Sequence, residues 1–279
     1  LSEKESTFAK SNAGAYMLYV GALVVFIFSS VLLSKYFVLH AAVIGAQLIA
    51  ILGSALVFRA IVDEAADWPA LDRLGAGPLG YLVLALACIS LAFTANITTS
   101  LFVELVPPLQ ESAEQYQALL EELILDAEGW TKVVAIVSVS VVAPLCEETL
   151  FRGTILQEQR KVESFTVAIV VNGFLFSVFH LNPVGFLSLW LVGAFFAHMT
   201  LSSGSLWVPI LAHSFFNLFN STILPAAAPE MDKIDSKYGA SELAIALVIF
   251  GPLTAGLWAL TMRLLHKHRD RREDAEESA

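Results

Sequence analysis

Residues 78–103 read PLGYLVLALACISLAFTANITTSLFV, without a single Asp, Glu, Lys or Arg. As a helix rising 1.5 Å per residue, this stretch reaches about 39 Å, beyond the roughly 30 Å of a bilayer's hydrocarbon core. A helix of that length in water needs a charged face, and this one has none. Seven other runs are similarly apolar, with at most one charged residue each: 15–36, 41–62, 130–146, 164–181, 184–201, 205–224 and 241–262. All are continuous and rich in Leu and Ala rather than alternating, which excludes barrel strands. The sequence predicts an all-α, polytopic membrane protein with about eight transmembrane helices.

Composition points the same way. Of the 279 residues, 57% are hydrophobic and 15% charged, with a mean hydropathy of +0.70. Soluble domains carry about 45–50% apolar and about 25% charged residues. The net charge of −10 and the lack of a basic stripe exclude nucleic acid as a partner. Cys88 and Cys146 both lie in apolar runs, so neither a disulfide framework nor a CxxC metal site is indicated. The first apolar run, Ala15 to Leu33, is too long for a signal-peptide core.

Basic residues set the orientation. With the N-terminus in the cytoplasm, twelve fall inside: Lys4, Lys10, Arg59, Arg73, Arg152, Arg160, Lys161, Arg263, Lys267, Arg269, Arg271 and Arg272. Only Lys35, Lys132, Lys233 and Lys237 fall outside. Both termini are therefore expected in the cytoplasm, in a bacterial or archaeal inner membrane. The connection Glu104–Gly129 has seven acidic residues and no Lys or Arg, which suits an extracytoplasmic loop. Within it, Tyr116, Leu119, Leu120 and Leu123 share one helical face, so a short interfacial amphipathic helix is expected. Three regions follow: an N-terminal membrane region with the acidic loop (1–129), a core (130–224), and a last span with a basic-then-acidic tail (225–279).

Ionisable residues inside spans are costly, which makes them candidates for function. They cluster in three places: Glu147-Glu148 with Arg152, His180 four residues after Phe176, and His213 four residues before Asn217. Glu148 and Arg152 share a helix face and can pair. Glu147 projects about 100° away, which leaves it for proton chemistry. A carboxylate in a low-dielectric pocket is a better base near neutrality, so Glu147 can activate water against a carbonyl. A histidine can orient that water or protonate the leaving amine, and Asn217 can donate to the oxyanion. The alternative is a zinc ion held by Glu147, His180 and His213, with one coordination position open. The residues alone do not choose between these. Asn172 and His198 are read as hydrogen-bonded to neighbouring helices, and Cys146 as a small buried hydrophobe.

The ordered set EExxxR, FxxxH and HxxxN on successive membrane helices resembles the CPBP intramembrane proteases. That family includes CAAX prenyl endopeptidases of the Rce1 type and bacteriocin-processing and self-immunity proteins, and is also called the abortive-infection domain family. The resemblance covers about Thr131 to Leu224. It implies Glu147 as the essential base, Glu148 and Arg152 as its support, and His180, His213 and Asn217 as the other catalytic residues. Phe176 enters as a supporting motif residue. The implied activity is hydrolysis of a peptide bond in a membrane-associated protein or peptide; the resemblance names no certain cofactor. The competing readings are a proton-coupled transporter using the same groups as a relay, and a non-catalytic scaffold or immunity factor.

The orientation has a direct test. In intact cells, a cysteine placed at Ser112 is expected to react with a membrane-impermeant thiol reagent, and cysteines placed at Ser2 and Ser278 are not. Labelling at both termini instead would invert the topology.

Overall fold

The computed structural model describes residues 13–62, 76–227 and 239–277. Among them there is no β-strand, and each of the eight apolar runs is helical. The helices are α1 (Ala13–Leu33), α2 (Leu39–Ile61), α3 (Pro78–Leu105), α4 (Gln110–Leu120), α5 (Gly129–Arg160), α6 (Phe165–Phe179), α7 (Phe186–Ser203), α8 (Trp207–Leu218) and α9 (Ala240–Glu277). Ser2, Lys4, Lys10, Arg73, Lys233, Lys237 and Ser278 lie outside the described residues.

Six helices are long and apolar enough to cross a membrane: α1, α2, α3, α5, α7 and the Ala240–Arg271 part of α9. The count of eight thus reduces to six by this measure, and the two exceptions are instructive. Helix α6 is apolar but has only 15 residues. Helix α8 has 12 residues and continues through a π turn at Phe219–Ile223 to Ala227, carrying His213, Asn217 and Asn220. Of the two helices that fall short, α8 carries the buried His213, and α6 ends directly before His180, which remains partly open to its surroundings.

The fourth run differs most from expectation. It does not stop at Cys146; α5 continues to Arg160, so Glu147 to Arg152 lie mid-helix. The extension is possible because the charges there neutralise one another inside the protein, as described below. It also explains how Glu147 and His180 meet. Glu147 lies 13 residues before Arg160, about 20 Å back along α5, and His180 lies 15 residues after Phe165, about 22 Å along α6. A short turn joins the two helices, with Ser164 capping α6 by accepting from Val167 N. An antiparallel hairpin with arms of equal length puts the two side chains at one depth.

Two apolar cores fill the bundle. One gathers Ala15, Ala22, Ile51, Leu150, Phe151, Phe176 and Phe179 from α1, α2, α5 and α6. The other gathers Leu91, Phe195, Phe196, Met199, Phe216 and Met262 from α3, α7, α8 and α9. Hydroxyl and amide pairs pin α3 to its neighbours: Ser90 and Thr94 each lie 2.7 Å from Thr254, Thr99 lies 2.8 Å from Ser188, and Asn96 donates to Asn220 at 2.8 Å. The predicted acidic-loop helix is present as α4, followed by a π turn at Glu121–Leu125. Within this stretch Ile124 is buried, while Tyr116 and Leu119 are exposed. His40 lies with Nε2 3.0 Å from the Leu123 carbonyl. Beyond the last span, α9 remains helical through the tail to Glu277. Arg269 in this tail donates to the Leu201 carbonyl at 3.0 Å.

Helices α6 and α7 touch backbone to backbone. A Cβ on Gly173 would sit 2.6 Å from Ala194 N and 2.8 Å from Trp190 O. A Cβ on Gly193 would sit 3.0 Å from Gly173 Cα. Such close approach is how membrane helices associate when lipid removes the hydrophobic driving force between them. Gly173→Leu or Gly193→Leu is therefore expected to abolish the folded, monodisperse protein in detergent. Gly21→Leu, where nothing lies within 4 Å of the added Cβ, should leave yield and thermal midpoint near wild type.

Candidate active site

Arg152 is fully buried at the seam between the two cores. Its Nη1 donates to Glu148 Oε1 at 2.9 Å, and its Nη2 donates to the Gly193 carbonyl at 2.8 Å. Gly193 can offer that carbonyl because, lacking a side chain, it lets α7 lie directly against α6. Three aromatic faces surround the guanidinium: Phe176 at 4.4 Å, Phe196 at 5.6 Å and Phe151 at 5.7 Å from Cζ. The Glu148–Arg152 pair read from the i, i+4 spacing is present, and it is completely withdrawn from solvent.

Glu148 does more than pair with Arg152. The same Oε1 lies 2.8 Å from His213 Nδ1. Since Glu148 already accepts from Arg152, Nδ1–H of His213 is the donor, which in the neutral ring leaves the lone pair on Nε2. His180 is held in the same way: Nδ1 lies 2.7 Å from the Phe176 carbonyl, an acceptor only, so its Nε2 is also bare. The ring of His213 stacks on Phe196 at 4.8 Å, and that of His180 lies 4.6 Å from Phe176.

Both Nε2 atoms point at Glu147. Its Oε2 lies 3.9 Å from His180 Nε2 and 3.9 Å from His213 Nε2, is buried, and has no hydrogen-bond partner. These separations are too long for direct hydrogen bonds and are of the length that one water bridges. Zinc with ligand bonds of about 2.1 Å holds its ligand atoms about 3.4 Å apart, closer than these. Among the described residues no group of three or more His, Cys, Asp or Glu side chains is arranged to hold a metal ion.

Asn217 serves α5 rather than the imidazoles. Its Nδ2 donates to the Val139 carbonyl at 2.9 Å, within the π turn Ser138–Val142 that precedes the glutamates. A second π turn, Phe151–Ile155, follows them, and Asn172 Nδ2 donates to its Phe151 carbonyl at 3.0 Å and to Gln159 at 3.1 Å. Wide turns of this kind release carbonyls from the helix ladder and recur at functional sites. Here two asparagines from neighbouring helices take up the released carbonyls and set the rotation of α5. Asn172 thus has the interhelical bond expected of it, as does His198, which accepts from Trp258 Nε1 at 3.0 Å. Cys146 is buried as a free thiol.

The site is therefore built from α5, α6, α7 and α8, over one continuous segment. Residues 129–219 match the family model described as type II CAAX prenyl endopeptidase Rce1-like. The matched segment begins with α5, ends in the π turn after α8, and contains all three motifs. The Rce1-like match supports intramembrane CAAX-type protease activity and, with the six apolar helices, an integral membrane protein. Rce1-like proteases are not established as metalloproteases, so that part of the expectation gains no support. No curated protein and no solved structure matches the chain.

Sequence reasoning missed three contributors to the geometry: the Gly193 carbonyl, the Phe196 face, and the bond from His213 to Glu148. The small-xxx-small spacings Gly173–Ser177 and Gly193–Ala197 were the available signal for the first. For the other two, no sequence signal exists. Removing Arg152 alone strands Glu148 in the interior, so Arg152→Ala is expected to cost about 3–5 kcal/mol and to lower yield. The double variant Arg152→Met with Glu148→Leu should recover much of that stability, without activity. Thermal melts in detergent measure both.

Proposed function

We propose that the protein is an intramembrane endopeptidase in which Glu147 activates water. The observation that carries this reading is the convergence of two bare imidazole nitrogens on one unpartnered, buried carboxylate oxygen. Three acceptors around a small gap suit a donor with two protons to give. Water held there donates to two of the three and presents its lone pair to a peptide carbonyl.

Glu147 takes a proton as the water attacks, and the tetrahedral intermediate forms. His180 and His213 hold the water, their tautomers fixed by the Phe176 carbonyl and by Glu148. The Asn217 amide has a second N–H beyond the one given to Val139, and that N–H is the donor assigned to the oxyanion. Glu147 then returns its proton to the leaving amine. Glu148 is the poorer base of the two, because Arg152 and His213 both donate to its carboxylate and hold it in the charged form. The substrate is a membrane-associated protein or peptide, and a prenylated CAAX tail is the first to test given the family match. The bilayer surrounds the site, and both termini are assigned to the cytoplasm.

Hydrolysis of a quenched-fluorescent, prenylated CAAX peptide in detergent tests the reading, together with mass-spectrometric comparison of membrane-protein termini in host cells. Glu147→Gln should fold normally and lose at least about 10²–10⁴ in turnover. Turnover within tenfold of wild type would remove Glu147 as the base. Activity in detergent needs no proton gradient, and a requirement for one would favour the transporter reading. Activity lost on chelation and restored by stoichiometric zinc would convert Glu147, His180 and His213 into ligands.

A further inference from the structure

The ring of Phe176 touches three members of the site at once. Its centroid lies 4.4 Å from Arg152 Cζ, 4.6 Å from the His180 ring and 5.8 Å from the His213 ring. If volume were all that was needed, an aliphatic side chain would serve. The bonding of Arg152 points to a further role. This cation is fully buried, yet it has one carboxylate oxygen and one backbone carbonyl as hydrogen-bond partners, and its Nε has none. The carboxylate oxygen is shared, because Glu148 Oε1 also accepts from His213 Nδ1. Glu148 Oε2 is buried without a hydrogen-bond partner, so both donors draw on one oxygen, and further negative potential at the guanidinium lightens that load. The face of an aromatic ring supplies such potential. Among the three rings near Arg152, that of Phe176 is more than 1 Å closer than either Phe196 or Phe151.

We infer that Phe176 is an electrostatic positioning residue: its π face shares the Arg152 cation, which leaves Glu148 Oε1 available to hold His213 Nδ1–H and so aims His213 Nε2 at Glu147. The inference rests on the reading above in which Glu147 and His213 act together, and it adds a requirement for aromatic character that packing alone does not impose.

Shape and electrostatics separate cleanly at this position. In the full chain, Phe176 is replaced in turn by 4-fluoro-, 3,5-difluoro- and 3,4,5-trifluorophenylalanine, which nearly keep the ring's shape while draining its π face. One readout needs no substrate: the exchange rate of the His213 Nδ1 proton, followed by NMR in histidine-labelled protein in detergent. Stepwise faster exchange is expected, by about tenfold at the trifluorinated ring. On the prenylated CAAX peptide, kcat should fall in the same order with KM unchanged. The same series at Phe151 should have a smaller effect. Exchange that stays constant across the Phe176 series overturns the inference, whatever kcat does. Glu147→Gln in the same preparation keeps the two ideas apart: it should be inactive with His213 exchange unchanged, and activity retained there counts against the base assignment alone.

Discussion

A guanidinium with no access to water governs this structure. Moving a charge of that size into a dry interior costs several kcal/mol even after relaxation, and the cost is offset only if partners arrive from every side. Arg152 on α5 draws on Glu148 one turn before it, the Gly193 carbonyl on α7, and the faces of Phe151, Phe176 and Phe196. No single helix holds this set, so α5, α6 and α7 must come together before the charge is accommodated. The requirement explains the close crossing of α6 and α7, since a side chain at position 193 would meet Gly173 before the carbonyl came within reach.

The same charge divides the labour of two adjacent glutamates. Glu148 faces Arg152, and through its one oxygen it also reaches His213 on α8. Glu147, rotated by one residue, faces the two Nε2 atoms instead and keeps an oxygen without a partner. One carboxylate is paired with a cation, and its unpaired neighbour is the one we propose as the reactive group. The π turns on either side of the pair, tied by Asn217 and Asn172, fix the rotation on which that difference depends.

Much of this was written in the order of residues. Continuous, nearly uncharged runs made the all-helical membrane fold legible, because lipid tolerates no other use of such stretches outside a barrel. The four-residue spacing of Glu148 and Arg152 foretold their pair, and the three motifs foretold which segments would meet. Helix ends were less legible. The fourth run seemed to end at Cys146 because hydropathy counts Glu147, Glu148 and Arg152 as charges facing their surroundings. In the fold they face one another and the helix runs on to Arg160. The π turn that follows α4 was likewise not legible, because hydropathy carries no mark of it.

The sequence by itself determined the class of fold, the residues able to do chemistry and the pairing of one glutamate, because each of these follows from local spacing and the cost of charge in lipid. Only the tertiary structure decided that His213 leans on Glu148, that Asn217 holds Val139, that Gly193 gives its carbonyl to Arg152, and that three rings enclose the cation. The three hydrogen bonds among them join residues from 41 to 78 positions apart. Their partners are chosen by how α5 to α8 rotate and cross, and those rotations are set by backbone contact at glycines and by π turns rather than by any periodicity in the chain.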